Sequence, residues 1–173
     1  TPAAVGADSS ATTRVDVTES GGIYRVTAAF AVLESPEAVM AVLTDYARIP
    51  KFMPDVQVSK VLSRSDSAVL VEQEAVSKFM FFSKRIHLAH DIEETPQVIR
   101  FRDRSNKSFH VYEGAWTLTP QDNGTELTYE LVAKPAFAVP GFVIRKLLNR
   151  DAREMLERLQ AEIAARGQNN FAA

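Results

Sequence analysis

The chain contains no cysteine. That excludes structural disulfides, thiolate zinc sites, iron–sulfur clusters and a cysteine nucleophile together, and it leaves the redox compartment open. No apolar run approaches the roughly 18 residues that a spanning helix needs, so no transmembrane segment is expected. An excess of charge is also missing. Lys and Arg number 20 against 22 Asp and Glu, a net charge of −2, so no global basic field gathers a phosphate backbone and nucleic acid is not an expected partner. The 7 glycines form no Gly-x-Gly-x-x-Gly and no Gly-Lys-Ser/Thr loop, and there is no Gly-x-Ser-x-Gly elbow. Nucleotide binding and acyl-enzyme chemistry therefore lack their signatures. Three histidines remain, His87, His90 and His110, without the helical spacing of a metal site. His87 and His90 fall on opposite faces of one strand, and His110 is the single candidate general base among the three. No metal and no cofactor is expected.

What is present describes an ordinary folded domain. With 173 residues, 46% hydrophobic and 24% charged, the chain is long enough for one core and too short for two. The segment 1–13 (TPAAVGADSSATT) is small and polar and cannot bury enough apolar area to offset its ordering entropy, so it reads as a flexible tail. Its first residue is Thr, which suits either a chain trimmed at a cloning boundary, then cytoplasmic, or a mature form exported to the periplasm after signal removal. Residues 14–166 are the expected domain. Gly167 supplies a helix stop, and 167–173 reads as a frayed C-terminal tail.

The hydrophobic period changes in a definite order. Arg14 to Glu19 and Ile23 to Leu33 are β-rich stretches around Ser20-Gly21-Gly22, a hairpin signal. Ser35-Pro36 places an N-cap and a first-turn proline ahead of a short helix. Asp45 to Pro54 carries two prolines and four large apolar groups, a broken helical turn that packs inward. Six strands then read as an antiparallel meander: Val56–Ser63, Ala68–Val76, Phe81–Glu93, Val98–Arg102, Phe109–Leu118 and Thr125–Val132. Alternation sets Ile99 and Phe101 against Arg100 and Arg102, and Leu127, Tyr129 and Leu131 against Thr128 and Glu130. Ile144, Leu148, Ala152, Met155, Leu159 and Ile163 follow at helical spacing, the apolar stripe of a long helix. The order predicts an α+β fold in which a curved antiparallel sheet of about seven strands wraps a long C-terminal helix, with short helices after the first hairpin.

Three segments carry a resemblance: Asp45-Tyr46-x-x-Ile49-Pro50-x-Phe52-Met53-Pro54, Phe109-x-x-x-x-Gly114-x-Trp116-x-Leu118-x-Pro120, and Gly124-Thr125-x-Leu127-x-Tyr129. In this order the chain resembles the START-like (SRPBCC) superfamily of polyketide cyclase/dehydrase and lipid transport proteins, with its helix-grip fold and birch-pollen-allergen-like members. The first segment is most similar to the coenzyme Q-binding and ribosome-association branch. The resemblance implies a deep cavity between sheet and helix for a lipid, quinone or polyketide-like molecule, and no fixed chemistry.

Within that frame the aromatic residues are the candidate lining. Tyr46, Phe52, Phe79, Phe81, Phe101, Tyr112, Trp116, Tyr129, Phe137 and Phe142, with Leu148 on the helix, are expected around an apolar pocket of roughly 300 to 1,000 Å³. Arg85, Arg100, Tyr112 and Glu113 are the candidate polar groups that orient a ligand. Glu72 and Glu74 lie on strands and read as outward-facing charges. Lys134 to Phe142 (KPAFAVPGF), followed by Arg145, Lys146 and Arg150, is an apolar segment with cations beside it, suited to a mobile entrance beside the cavity or to a surface patch that meets a partner or makes transient membrane contact. Three readings follow: a non-catalytic carrier or sensor of an apolar small molecule, an aromatase/cyclase-type enzyme, and a protein-interaction module with a filled core and a large apolar surface patch. No catalytic residue is assigned, and the oligomeric state is left open.

Overall fold

The computed structural model describes residues 13–79 and 81–171; all but the last residue of the expected N-terminal tail lies outside them. Strands β1 (Arg14–Ser20) and β2 (Ile23–Val32) form the first hairpin, and two short helices, α1 (Pro36–Leu43) and α2 (Ile49–Phe52), follow. Six further strands come next: β3 (Val56–Ser65), β4 (Ala68–Phe79), β5 (Phe82–Glu94), β6 (Val98–Asp103), β7 (Phe109–Gln121) and β8 (Gly124–Pro135). Helix α3 (Gly141–Phe171) closes the chain.

One antiparallel sheet takes all eight strands in the order β1-β2-β8-β7-β6-β5-β4-β3. Each meander strand pairs with its sequence neighbour, and β8 returns to β2, so α1 and α2 carry the chain from one side of the sheet to its far edge. A sheet of this width twists and curls, and its concave face is covered by α3. Alternation decides which side chains reach that face: Val26, Ala28 and Phe30 on β2, and Leu127, Tyr129, Leu131 and Ala133 on β8, are all buried. Their neighbours Glu126 and Glu130 are exposed.

The local signals operate as the sequence suggests. Ser35 is extended, and its Oγ accepts from the Ala38 amide at 3.2 Å while Pro36 opens α1. On α3, Ile144, Ala152, Leu159 and Ile163 are buried, joined by Leu147 and Leu156. The expected stop at Gly167 is not used: α3 continues to Phe171. A β-carbon at Gly167 would stand 2.9 Å from the Glu34 carboxylate, so this glycine permits a close approach between α3 and the β2–α1 link rather than ending the helix.

Two irregularities shape the concave face. The β7–β8 register shifts between Phe109 and Val111, which makes His110 the extra residue of a bulge. Residues on either side of a bulge change face, so Phe109 and Tyr112, three apart, meet on the same side with ring centroids 4.8 Å apart. At Gly114, a β-carbon would lie 2.8 Å from the Phe101 ring and 2.0 Å from the Glu130 carbonyl. The missing side chain is what lets the Phe101 ring lie over β7.

Candidate ligand cavity

Between the concave face and α3 the packing leaves two adjoining lobes. The outer lobe holds about 250 Å³ and is bounded by Phe82, Lys84, Phe109, Phe137, Leu148 and Asp151, among others. The inner lobe holds about 130 Å³ under α1 and α2, with Tyr46, Phe52, His90, Phe101 and Trp116 in its wall. Met53, Gln73, Tyr112, Tyr129 and Met155 belong to both, so the lobes share a partition of two phenols, an amide and two methionines. Each lobe is smaller than the expected 300 to 1,000 Å³. A wider depression of about 760 Å³ lies on the outer face of the sheet, open to solvent and lined by charged strand residues such as Asp91, Arg100, Arg102 and Glu113 together with aliphatic ones.

The aromatic wall of the inner lobe is continuous. Trp116 and Tyr129 lie 4.6 Å apart, Phe101 stacks on Tyr129 at 6.2 Å, and His90 stands edge-on to Phe101 at 5.4 Å. These offset and tilted arrangements are the ones that ring quadrupoles favour. Two polar atoms here are orphaned: Tyr46 Oη and His90 Nδ1 are buried with no hydrogen-bond partner. Burial pushes the His90 imidazolium down to about 4, against the weaker opposing pull of Asp103, so the ring is neutral near pH 7. Asp103 itself is buried and committed, accepting from the amides of Ala89 and Ser105 and from Ser105 Oγ.

The outer lobe has a different polar group. Asp151 lies on α3 within the apolar stripe, three residues after Leu148, and its Oδ2 accepts from Ser77 Oγ at 2.8 Å. Burial pushes its carboxyl up to about 6, and the Ser77 bond and Arg150 offset only part of that. Burial likewise pushes the Tyr112 phenol up to about 12 and raises Tyr129, so both phenols keep their protons and can donate. Lys84 extends over the Phe137 ring, 5.1 Å from its centroid. The lobe therefore offers a carboxyl able to hold or release a proton near neutrality, beside a cation and apolar walls.

The candidates named from sequence sort cleanly. Tyr46, Phe52, Phe101, Tyr112, Trp116, Tyr129, Phe137 and Leu148 line one or both lobes. Phe81 and Phe142 do not: they are 102% and 65% exposed, because Phe81 falls in the β4–β5 turn and Phe142 on the solvent side of the first turn of α3. Phe79 lies under the Lys146 ammonium, 5.9 Å from its ring centroid, and outside the lining. Arg85, Arg100 and Glu113 have the opposite strand parity to the lining residues and are exposed, with Glu113 facing Arg102 at 3.8 Å. Glu74 is exposed too, as is His110 at the bulge. The reading missed His90, Gln73, Ser77, Lys84 and Asp151. Signals for two of them were present: His90 continues the alternation Ile86, Leu88, His90, Ile92, and Asp151 interrupts an apolar helical stripe. Among the described residues no cluster of three or more His, Asp or Glu side chains could hold a metal, and no helix is long and apolar enough to cross a membrane.

Residues 34–160 match the family model described as polyketide cyclase/dehydrase and lipid transport, nearly three quarters of the chain. The chain belongs to this family. No curated protein sequence matches it. Among solved structures, an aromatase/cyclase from Streptomyces sp. R1128 superposes with a TM-score of 0.71 at 14% identity, over 83% of this chain and 95% of that one. A protein from Thermus thermophilus gives 0.70 at 21% identity, over 82% and 97%. A STAR-related lipid transfer protein from Xanthomonas axonopodis gives 0.66 at 18% identity, over 88% and 98%. At these identities the likeness shows the helix-grip fold alone. The family and its neighbours include both lipid transfer proteins and aromatase/cyclases.

Proposed function

We propose that the chain binds an apolar small molecule, a lipid, quinone or polyketide-like compound, in the cavity between the sheet and α3, as a carrier or sensor. The observation that carries this reading is the cavity itself: two adjoining lobes walled by aromatic and aliphatic side chains, left unfilled by a sequence that packs the rest of its core. Burying apolar ligand surface there is worth about 25 cal/mol per Å² before the entropic cost of binding. Tyr112 and Tyr129, shared by both lobes and protonated at neutral pH, are the donors placed to orient an oxygen-bearing ligand. The interaction-module reading expected a filled core together with a large surface patch, and the two lobes do not fit the first of these.

An aromatase/cyclase-type reaction is the second reading, and Asp151 favours it. Its carboxyl, raised to about 6, stands where a bound poly-keto chain would lie, and a group with that affinity can pass a proton to or from a carbon or oxygen at neutral pH. Uptake of Nile red and of a panel of long-chain alcohols, ketones, quinones and carboxylates, followed by fluorescence and competition, tests the binding reading. Saturable uptake at a single site is expected; absence of uptake across the panel contradicts it. Turnover of a poly-keto mimic, lost in Asp151→Asn with binding retained, separates the enzyme from the carrier.

A further inference from the structure

The cations of this chain are not spread evenly. Residues 78–84, which span the β4–β5 turn, and residues 134–146, which run from the end of β8 into α3, hold Lys78, Lys84, Lys134, Arg145 and Lys146 and not one Asp or Glu. These two short segments contribute +5 to a chain whose net charge is −2, so the remainder carries −7. The fold brings them together at one end of the sheet. Phe82 stacks on Phe137 at 6.2 Å, Lys84 covers the same Phe137 ring, Lys146 covers Phe79, and an Arg150 guanidinium donates to the Lys78 carbonyl. Among the described residues none of those five cations forms an ion pair with a carboxylate, whereas Arg64, Arg102, Arg104 and Arg166 elsewhere do, and Arg150 beside them pairs with Glu154.

The same end holds two of the five large hydrophobic side chains that are exposed among the described residues. Phe81 at 102% and Phe142 at 65% project away from a surface whose inward residues, Phe82, Phe137, Ile144 and Leu148, line the outer lobe. An exposed phenylalanine on each of two touching segments, ringed by unpaired cations, is a poor surface for water and a good one for the boundary of an anionic bilayer. There the rings enter the acyl region while ammonium and guanidinium groups meet lipid phosphates. The remaining chain carries a net −7 and adds no overall attraction of its own.

We propose that the β4–β5 turn and the β8–α3 segment form a docking surface for anionic lipid bilayers, placing the outer lobe against the membrane from which an apolar ligand enters or to which it returns. This rests on the carrier reading above for its purpose, and on Phe81, Phe142 and the five cations for its chemistry. Each cation near an anionic leaflet strengthens binding about fivefold, and an inserted phenylalanine adds a comparable factor that salt does not screen.

The test is co-sedimentation of the full chain with vesicles of phosphatidylcholine alone and of phosphatidylcholine with about 30% phosphatidylglycerol, at low and high salt, beside a Nile red titration without vesicles. Preference for the anionic vesicles by at least about tenfold is expected, weakened at high salt. Phe81→Ser/Phe142→Ser and Arg145→Gln/Lys146→Gln should each lower it about tenfold or more, with Nile red binding unchanged in both. No binding to anionic vesicles, binding indifferent to lipid charge, or binding that both double variants keep would overturn the proposal; the first of these would leave the surface to an acidic protein partner. Loss of Nile red uptake by the wild type with vesicle binding intact would sink the carrier reading and spare the docking surface, so the two failures are distinct.

Discussion

The two lobes of the cavity differ in how they are polarised. The inner lobe is an aromatic chamber whose polar atoms, Tyr46 Oη and His90 Nδ1, are orphaned and whose imidazole is held neutral by burial. The outer lobe carries a carboxyl with a hydroxyl partner, Asp151 with Ser77, beside Lys84. The inner lobe loses stability in acid and the outer lobe loses it in base, for the same reason: burial disfavours the charged form of each group. Between about pH 4 and 6 neither residue is predominantly charged.

Aromatic truncation is the strongest way to break that contrast. Trp116→Ala removes the buried ring that packs against Tyr129 in the inner lobe and should cost about 3 to 5 kcal/mol of folding stability in a urea titration. Phe137→Ala, at the half-buried rim of the outer lobe, should cost no more than about half as much. Equal losses would mean that the inner lobe is no better packed than the outer.

Acid titration comes next. The His90 imidazole has a folded value near 4, below the unfolded value of about 6.5. Its contribution is therefore complete above about pH 6.5 and is lost as the pH falls through 4, on the order of 3 kcal/mol. His90→Leu should abolish that loss while leaving stability at pH 7 within about 1 kcal/mol, since it also deletes an unpartnered buried nitrogen. Urea midpoints from pH 4 to 7 read both effects.

The carboxyl should move the other way. Asp151 has a folded value near 6, above its ordinary value of 3.8. Its contribution is complete below about pH 3.8 and is lost as the pH rises through 6, on the order of 3 kcal/mol. Asp151→Asn, which keeps an oxygen to accept from Ser77, should gain on the wild type by that amount between pH 4 and 7. A pH-independent difference would place Asp151 in water rather than in the lobe.

Filling the outer lobe sharpens the contrast with the least disturbance. Leu148→Trp adds a ring at the wall and should weaken Nile red binding about tenfold, with stability changed by less than about 1.5 kcal/mol. Undiminished binding would place the probe in the inner lobe alone.

Most of the fold was legible because alternation reports parity directly. The strands, the Ser35 cap and the apolar stripe of α3 all follow from residue spacing. Parity fails at turns and bulges, where one residue resets it. Phe81 reads as a strand residue until the β4–β5 pairing of Phe79 with Phe82 puts it in the turn. The bulge at His110 brings Phe109 and Tyr112 to one side, which no alternating pattern foretells. The polar candidates failed for a related reason: Arg85, Arg100 and Glu113 were chosen as charged strand residues, and charge on a strand is what selects the solvent face. The groups that do face the cavity, His90 and Asp151, are polar interruptions of apolar periods, a signal that depends on knowing which stripe is buried.

The most direct test of the central claim, that the cavity holds an apolar molecule, is mass spectrometry of organic extracts from natively purified protein, set against Leu148→Trp and a mock purification. The account predicts one apolar compound enriched with the wild type and depleted with the filled variant. Extracts indistinguishable from the mock, together with no uptake of Nile red, would contradict it.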